Sequence, residues 1–356
     1  MPRPIRATIS AAALAHNLAV ARTHAGPAGV WAVVKANAYG HGLVRAAQAL
    51  KDADGFALLD FVDALRLRHA GVTKPLLMLE GFFKPEDLPL LTRQRLTPVI
   101  HNTEQIEMLD KSRPEAPLDV YLKVNSGMNR LGFSLDNVRV ALTALKSNPS
   151  IGSVTLMTHF ADAEGEEGIA GQLQWFGVLT RGVEAQRSVA NSAALLRFPE
   201  ESRADWVRPG IMLYGCSPLG FKTAEEIGLK PAMTLTSEII GIQHLEQGER
   251  VGYGFSYQAA QEMTIGVIAC GYADGYPRHA PSGTPLLVAG KRTKTVGRVS
   301  MDMICADISG IEEAGVGAPV TLWGEGLPCE EVALSAGTVS YELLCALAPR
   351  VPVVEV

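Results

Sequence analysis

Over the first two thirds of the chain, short apolar runs alternate with helix-like stretches. The apolar runs are Val30–Val34, Gly55–Leu59, Pro75–Leu79, Thr97–Ile100, Leu118–Val124, Val154–His159, Ser188–Asn191 and Trp206–Tyr214. Between them lie Gly42–Lys51, Val62–His69, Pro85–Thr92, Thr103–Lys111, Leu135–Ser147 and Gly168–Gln186. Strands alternating with helices imply parallel β-α units. Eight such units suit a (β/α)8 TIM barrel, which typically needs about 250 residues. A doubly wound open sheet is the alternative at this level.

The pattern changes near Leu229-Lys230-Pro231. From Met233 to Trp323 it becomes β-rich, with runs at Thr234–Ile242, Thr264–Ala269, Thr284–Ala289, Thr293–Val299, Met303–Ile308 and Pro319–Leu322 separated by Gly, Pro and Asp turn signals. Helical pattern returns only at Glu330–Ala336 and Tyr341–Ala348. The expected division is an α/β barrel over residues 10–230 and a mostly β domain over 231–356, joined by segment 1–9.

Composition narrows the function classes. The 356 residues carry a net charge of −5, so no basic field points to nucleic acid. No apolar run is long enough to span a bilayer, and the first residues lack the apolar stretch of a signal peptide. The five cysteines are odd in number and form no C-x-x-C pair, which argues against a disulfide framework or thiolate zinc site and suits a reducing cytoplasm. Eight histidines show no metal-binding spacing.

The most informative segment is Val33-Val34-Lys35-Ala36-Asn37-Ala38-Tyr39-Gly40-His41-Gly42. Lys35 closes an apolar strand, and strand C-termini point into the active-site face of a barrel. Loss of solvation there lowers a lysine pKa and favours the amine nucleophile. Taken alone, the residue reads as a lysine snorkelling from a strand end. Arg130, in Asn125-Ser126-Gly127-Met128-Asn129-Arg130, sits in a Gly-rich loop past a strand, where its planar fork can hold a carboxylate. His159 ends a strand, which usually marks a hydrogen-bonded structural residue. Asn191-Ser192-Ala193-Ala194 and Arg208-Pro209-Gly210-Ile211 fall at candidate strands seven and eight, whose loops often bind phosphate in barrels. Ser192 can donate a hydroxyl, and Gly210 and Ile211 backbone N–H groups. Alone, N-S-A-A would be a helix cap. In the β domain, Tyr253 stands between two glycines, a setting also suited to turn packing.

The ten residues around Lys35 closely resemble the pyridoxal-phosphate lysine motif of alanine racemases. Further segments match in order through Tyr341-Glu342-Leu343, so the resemblance covers essentially the whole chain. It implies a (β/α)8 barrel followed by a β domain, the division that the pattern suggests independently. It also implies pyridoxal 5′-phosphate as cofactor, bonded to Lys35, with Tyr39, Ser192, Gly210, Ile211 and Tyr341 around its phosphate. Arg130 would contact both cofactor and substrate carboxylate. Arg208 would face the ring nitrogen, where most pyridoxal enzymes place a carboxylate. A permanent cation disfavours ring protonation and weakens the electron sink, which limits side reactions. His159 would link Arg208 to Tyr253. Lys123 matches a lysine that is often carbamylated; an unmodified lysine in an ordinary ion pair is the other reading. Met301 would offer its backbone N–H to the substrate carboxylate, and Tyr272 and Arg278 would line the approach.

Racemisation needs a base on each face of Cα. The resemblance assigns Lys35 to one face and Tyr253 of the partner subunit to the other, so a homodimer acting on L-alanine and D-alanine is expected. Tyrosine has an ordinary pKa near ~10, so the site must lower it. Asn129, where many relatives carry glycine, and Leu76–Phe83 (L-L-M-L-E-G-F-F) resemble the catabolic branch of the family more than the wall-biosynthetic branch. Two rivals are a pyridoxal-dependent decarboxylase of the same architecture and a non-enzymatic cofactor carrier. The first uses a β-domain cysteine as proton donor where this chain has Tyr253. The second leaves residues 231–356 without a role.

Overall fold

A computed structural model describes residues 3–111 and 114–356. Strand β1 (Arg6–Ile9) leads into the helix Ala11–Ala25, whose first turn is capped by Ser10 Oγ accepting from the Ala13 N–H at 3.1 Å. The next eight strands are β2 (Gly29–Val33), β3 (Gly55–Leu58), β4 (Leu76–Met78), β5 (Leu96–Ile100), β6 (Leu118–Lys123), β7 (Ile151–Met157), β8 (Arg187–Ser188) and β9 (Trp206–Val207). They pair in parallel, each with the next, and β2 closes on β9. β3 and β4 are buried at every position, as strands enclosed on both faces must be. Inside the barrel the Trp31 indole donates to Tyr121 Oη at 2.8 Å and stacks on Trp206 at 4.9 Å. The Trp31–Tyr121 contact ties strands from opposite sides of the barrel, and burial pushes the Tyr121 phenol up to about 12.

Three expected elements differ most. The run Ser188–Asn191 is strand only at Ser188, in β8, and ends in the Asn191 helix cap. The run Trp206–Tyr214 is strand only to Val207; Pro209 lacks the N–H a ladder needs, and Ile211–Tyr214 winds into a 3-10 turn. The helix expected to reach Gln186 ends at Leu179, just before the Gly182 turn at φ +73°.

The remaining strands are β10 (Met233–Leu245), β11 (Arg250–Val251), β12 (Tyr257–Gln258), β13 (Met263–Ile268), β14 (Pro285–Val288), β15 (Lys291–Val296), β16 (Ile304–Asp307), β17 (Pro319–Trp323) and β18 (Val353–Glu355). The thirteen-residue β10 is long enough to pair with β17 at its start and β13 at its end, with a register shift between Ile239 and Gly241 that bends it. The sheet runs β13-β16-β15-β14-β17-β10 and closes through β10–β13, while β1 and β18 extend it beyond β10. β11 and β12 form a separate hairpin whose tip is Tyr253–Phe255. Among the described residues, no helix is long and apolar enough to cross a membrane, and all five cysteines are free.

Candidate active site

At the C-terminal end of the barrel strands lies a cavity of about 730 Å³. Its wall includes Lys35, Tyr39, Lys123, Arg130, His159, Ser192, Arg208, Gly210, Ile211 and Tyr341, ten residues singled out from the sequence. Glu80, His101 and Cys345 join them and were not anticipated as site residues.

Lys35 begins a short turn rather than ending the strand. The next four residues, Ala36, Asn37, Ala38 and Tyr39, all have φ between +51° and +55°. Left-handed backbone costs about 1–2 kcal/mol per non-glycine residue, so this turn must be held from outside. Asn37 Oδ1 accepts from the Leu43 N–H at 2.9 Å, and the Gly42 N–H reaches Asn37 O at 2.9 Å. The buried His41 ring places Nδ1 3.1 and 2.9 Å from the carbonyls of Ala38 and Tyr39, so Nδ1 carries the proton. Gly40 docks closely enough on Leu344 O that a Cβ there would lie 2.1 Å from it. That contact joins the lysine turn to the helix Ser340–Cys345, which carries Tyr341. Tyr39 stacks on Tyr214 at 4.6 Å, and Tyr214 Oη donates to Val33 O at 2.8 Å.

The electrostatics are strongly cationic. Burial, then the nearby Arg130, lowers the Lys35 pKa, while Glu80 and Cys345 oppose the shift. Burial and then Arg208, Arg130 and Lys35 bring Lys123 down to about 8. Arg208 is fully enclosed, and burial lowers it to about 10. It donates to Ser188 Oγ at 2.7 Å and Thr158 O at 2.6 Å, with His159 Nδ1 at 3.5 Å. Among the described residues it has no carboxylate partner. Burial and the cations of Arg208 and Lys123 drive His159 well below its ordinary value. A buried guanidinium held by neutral oxygens leaves its charge uncompensated, which favours an electron-rich group in the cavity.

Opposite these cations, Gly210 donates its N–H to Ser192 Oγ at 2.8 Å. The bond ties two of the residues expected around a phosphate directly together, and Ile211 lines the same wall. Asn191 caps the helix Ser192–Arg197 through the Ala194 N–H at 2.9 Å, so the segment is also the cap that its sequence suggests. A Cβ on Gly210 would lie 2.6 Å from Tyr39 Oη.

Arg130 is exposed at the rim of the cavity. The preceding Asn129 has φ +56°, a conformation asparagine tolerates, and Asn125 donates to its Oδ1 at 3.0 Å. Glu80 follows β4 by two residues on a loop pinned by the buried Gln105, which donates to the carbonyls of Glu80 and Phe82 at 3.2 and 3.0 Å. His101 Nε2 lies 3.0 Å from Glu80 O. Position past a strand end is the only sequence signal that singles out Glu80 and His101.

Tyr253, Tyr272, Arg278 and Met301 do not line this cavity. All four are exposed, Tyr253 by 70%. Within one chain the His159–Arg208 contact therefore does not extend to Tyr253.

A parallel barrel with a half-buried lysine and a cation-rich cavity at its strand C-termini, followed by a closed β sheet, defines a cofactor-type barrel enzyme. Residues 9–218 match the family model "Alanine racemase, N-terminal domain", and residues 232–355 match "Alanine racemase, C-terminal domain". The chain is 57% identical to an alanine racemase of Nitrosospira multiformis, covering 98% of this chain and 99% of that protein. It is 55% identical to one of Burkholderia mallei, covering 99% of each. A crystal structure of the biosynthetic alanine racemase from Pseudomonas aeruginosa superposes with a TM-score of 0.97 at 45% identity, covering 99% of each chain. The chain belongs to the alanine racemase family.

Proposed function

We propose that the chain interconverts L-alanine and D-alanine as a homodimer, with pyridoxal 5′-phosphate at Lys35. The observation that carries this reading is the division of the site. The lysine lies in the cavity with a lowered pKa, while Tyr253 stands fully outside it on a hairpin tip. One chain holds one base, and a second chain must bring the other.

The cavity suits the cofactor. Ser192 Oγ, Ile211 N and Tyr39 Oη form a cradle that a Cβ at Gly210 would fill. Arg208, with no carboxylate beside it, suits the neutral ring nitrogen of a weak electron sink. Bound there, pyridoxal phosphate supplies the electron sink that makes the substrate Cα–H acidic. The chain's own groups do the rest. Arg130 and the Met301 N–H of the partner subunit hold the substrate carboxylate. Tyr253 Oη of the partner subunit takes the Cα proton of L-alanine, and Lys35 Nζ delivers one to the opposite face. D-alanine uses the same atoms in reverse. Burial beside Arg130 lowers the Lys35 pKa, which favours the free amine relative to an ordinary lysine. Tyr272, Arg278 and Tyr341 narrow the approach, which favours a very small side chain. Lys123, at about 8, has enough free amine near neutral pH to add carbon dioxide, and the resulting anion would face Arg130 and Arg208. Five free thiols suit a reducing compartment such as the cytoplasm.

Two roles in the cell have support. Asn129 and Leu76–Phe83 favour breakdown of D-alanine; close similarity to the biosynthetic Pseudomonas aeruginosa enzyme favours its supply. Gene deletion separates them. A D-alanine requirement would establish supply, and loss of growth on D-alanine alone would establish breakdown.

The test of the chemistry is proton NMR of the holoenzyme with L-alanine in deuterated water, with a chiral assay of the product. Deuterium at Cα with D-alanine approaching an even mixture is expected. Deuterium entering without D-alanine would refute Tyr253 as the second base.

A further inference from the structure

Four charged groups from distant parts of the chain meet behind the turn that carries Tyr272. Asp274 is fully buried, and a buried carboxylate demands partners. Its Oδ1 accepts from Arg3 Nη1 at 2.8 Å and from Arg350 Nε at 2.7 Å, and its Oδ2 from the Gly271 N–H at 2.9 Å. Arg350 Nη2 continues to Asp302 Oδ1 at 2.7 Å, and Arg3 Nη2 donates to Asp302 O at 2.7 Å. Arg3 precedes β1 and Arg350 precedes β18. The parallel pairing of those two strands brings both arginines to one carboxylate.

The clamp joins two loops, 271–276 and 300–303. Tyr272 N–H donates to Ser300 O at 3.1 Å, and Ala273 N–H to Met301 O at 3.0 Å. At Gly271 a Cβ would lie 2.3 Å from Met301 O, so the loops touch backbone to backbone. The Ser300 carbonyl and the Met301 N–H share one trans peptide plane and point in opposite directions. Holding that carbonyl on Tyr272 therefore aims the Met301 N–H away from the turn. Among the described residues it meets no acceptor.

We propose that Arg3, Asp274, Asp302 and Arg350 are positioning residues for the substrate carboxylate. They fix the Tyr272 ring and the Met301 N–H as one rigid unit that reaches the partner's cavity. This rests on the reading of Tyr272 and Met301 as substrate-facing groups. The carboxylate keeps its charge throughout the reaction, so its anchoring is equal in ground and transition states. Losing such anchoring raises KM and leaves kcat nearly unchanged.

The test compares Arg3→Gln, Arg350→Gln, their double variant and Asp302→Asn as holoenzymes, with Tyr272→Ala in parallel. KM and kcat for both enantiomers are read together with the Ki of propionate, a carboxylate without the amino group. Each single variant should raise KM and Ki roughly fivefold and the double variant about twentyfold, with kcat within about twofold. Arg350→Lys should restore part of the loss. Asp302→Asn keeps Asp274 paired and folded if the double variant does not fold. A kcat that falls while the propionate Ki stays constant would mark a merely structural role and overturn the proposal. If Tyr272→Ala raises KM while the clamp variants do not, the clamp alone fails. If Tyr272→Ala also leaves KM and Ki unchanged, the substrate-facing reading fails and the clamp with it.

Discussion

The Gly210 N–H is spent on Ser192, and the absence of a side chain there leaves Tyr39 Oη facing the cavity. A methyl at this position meets the phenol oxygen at 2.6 Å, inside any tolerated contact. Gly210→Ala should therefore weaken cofactor retention roughly tenfold or more, measured by pyridoxal-phosphate titration of the apo form, with little change in fold. Unchanged affinity would remove Tyr39 from the cradle. Lys123 makes a second residue-scale prediction. With its pKa near 8, it should take up 13C-labelled carbon dioxide as bicarbonate is raised, giving a carbamate resonance that Lys123→Ala lacks. A spectrum shared by both would rule out the modification. Lys35, Arg130 and Arg208 were legible because each follows an apolar strand in a motif of several residues. Glu80 and His101 were not. Each is a single polar residue in a loop without periodicity, and Glu80 is tied to the site by hydrogen bonds from its carbonyl to His101 and Gln105, more than twenty residues on.

Among the elements, the lysine turn departs furthest from expectation. Ala36-Asn37-Ala38-Tyr39 contains no glycine, so nothing in its composition announces a left-handed path. The hydrogen bonds from His41 and Asn37 and the docking of Gly40 offset the strain. These contacts are tertiary or cross-turn and leave no local pattern. His41 is buried and its pKa falls to about 4 through burial, below its ordinary 6.5. The unfolded chain thus binds more protons between those values, so the stabilisation from His41 is complete above 6.5 and is lost as pH falls through about 4. His41→Phe should cost about 1–3 kcal/mol at pH 7.5 by leaving the Tyr39 carbonyl unmet, while Ala38 O keeps the backbone N–H of residue 41. The melting-temperature gap from wild type should narrow steadily between pH 6.5 and 4. A gap independent of pH would show that another group sets the acid response. Trp206–Tyr214 is not one strand for a simpler reason: Pro209 cannot supply the N–H a ladder needs, and the run turns into a 3-10 segment. The β domain was more legible because its turn residues are frequent, although nothing in β10 signalled that it serves both ends of a closed sheet.

For the whole molecule, the separation of Lys35 from Tyr253 sets the account. Two variants, Lys35→Ala and Tyr253→Ala, should each be inactive as homodimers. Mixed after dissociation and reassociation, half of the dimers carry one subunit of each kind. In such a dimer one site lacks both bases, while the other joins an intact Lys35 to an intact Tyr253. Recovery of about a quarter of wild-type activity, in both directions of racemisation, is therefore expected. Activity that stays at the level of the separate variants, with mixed dimers demonstrated by mass spectrometry, would contradict a site shared between chains.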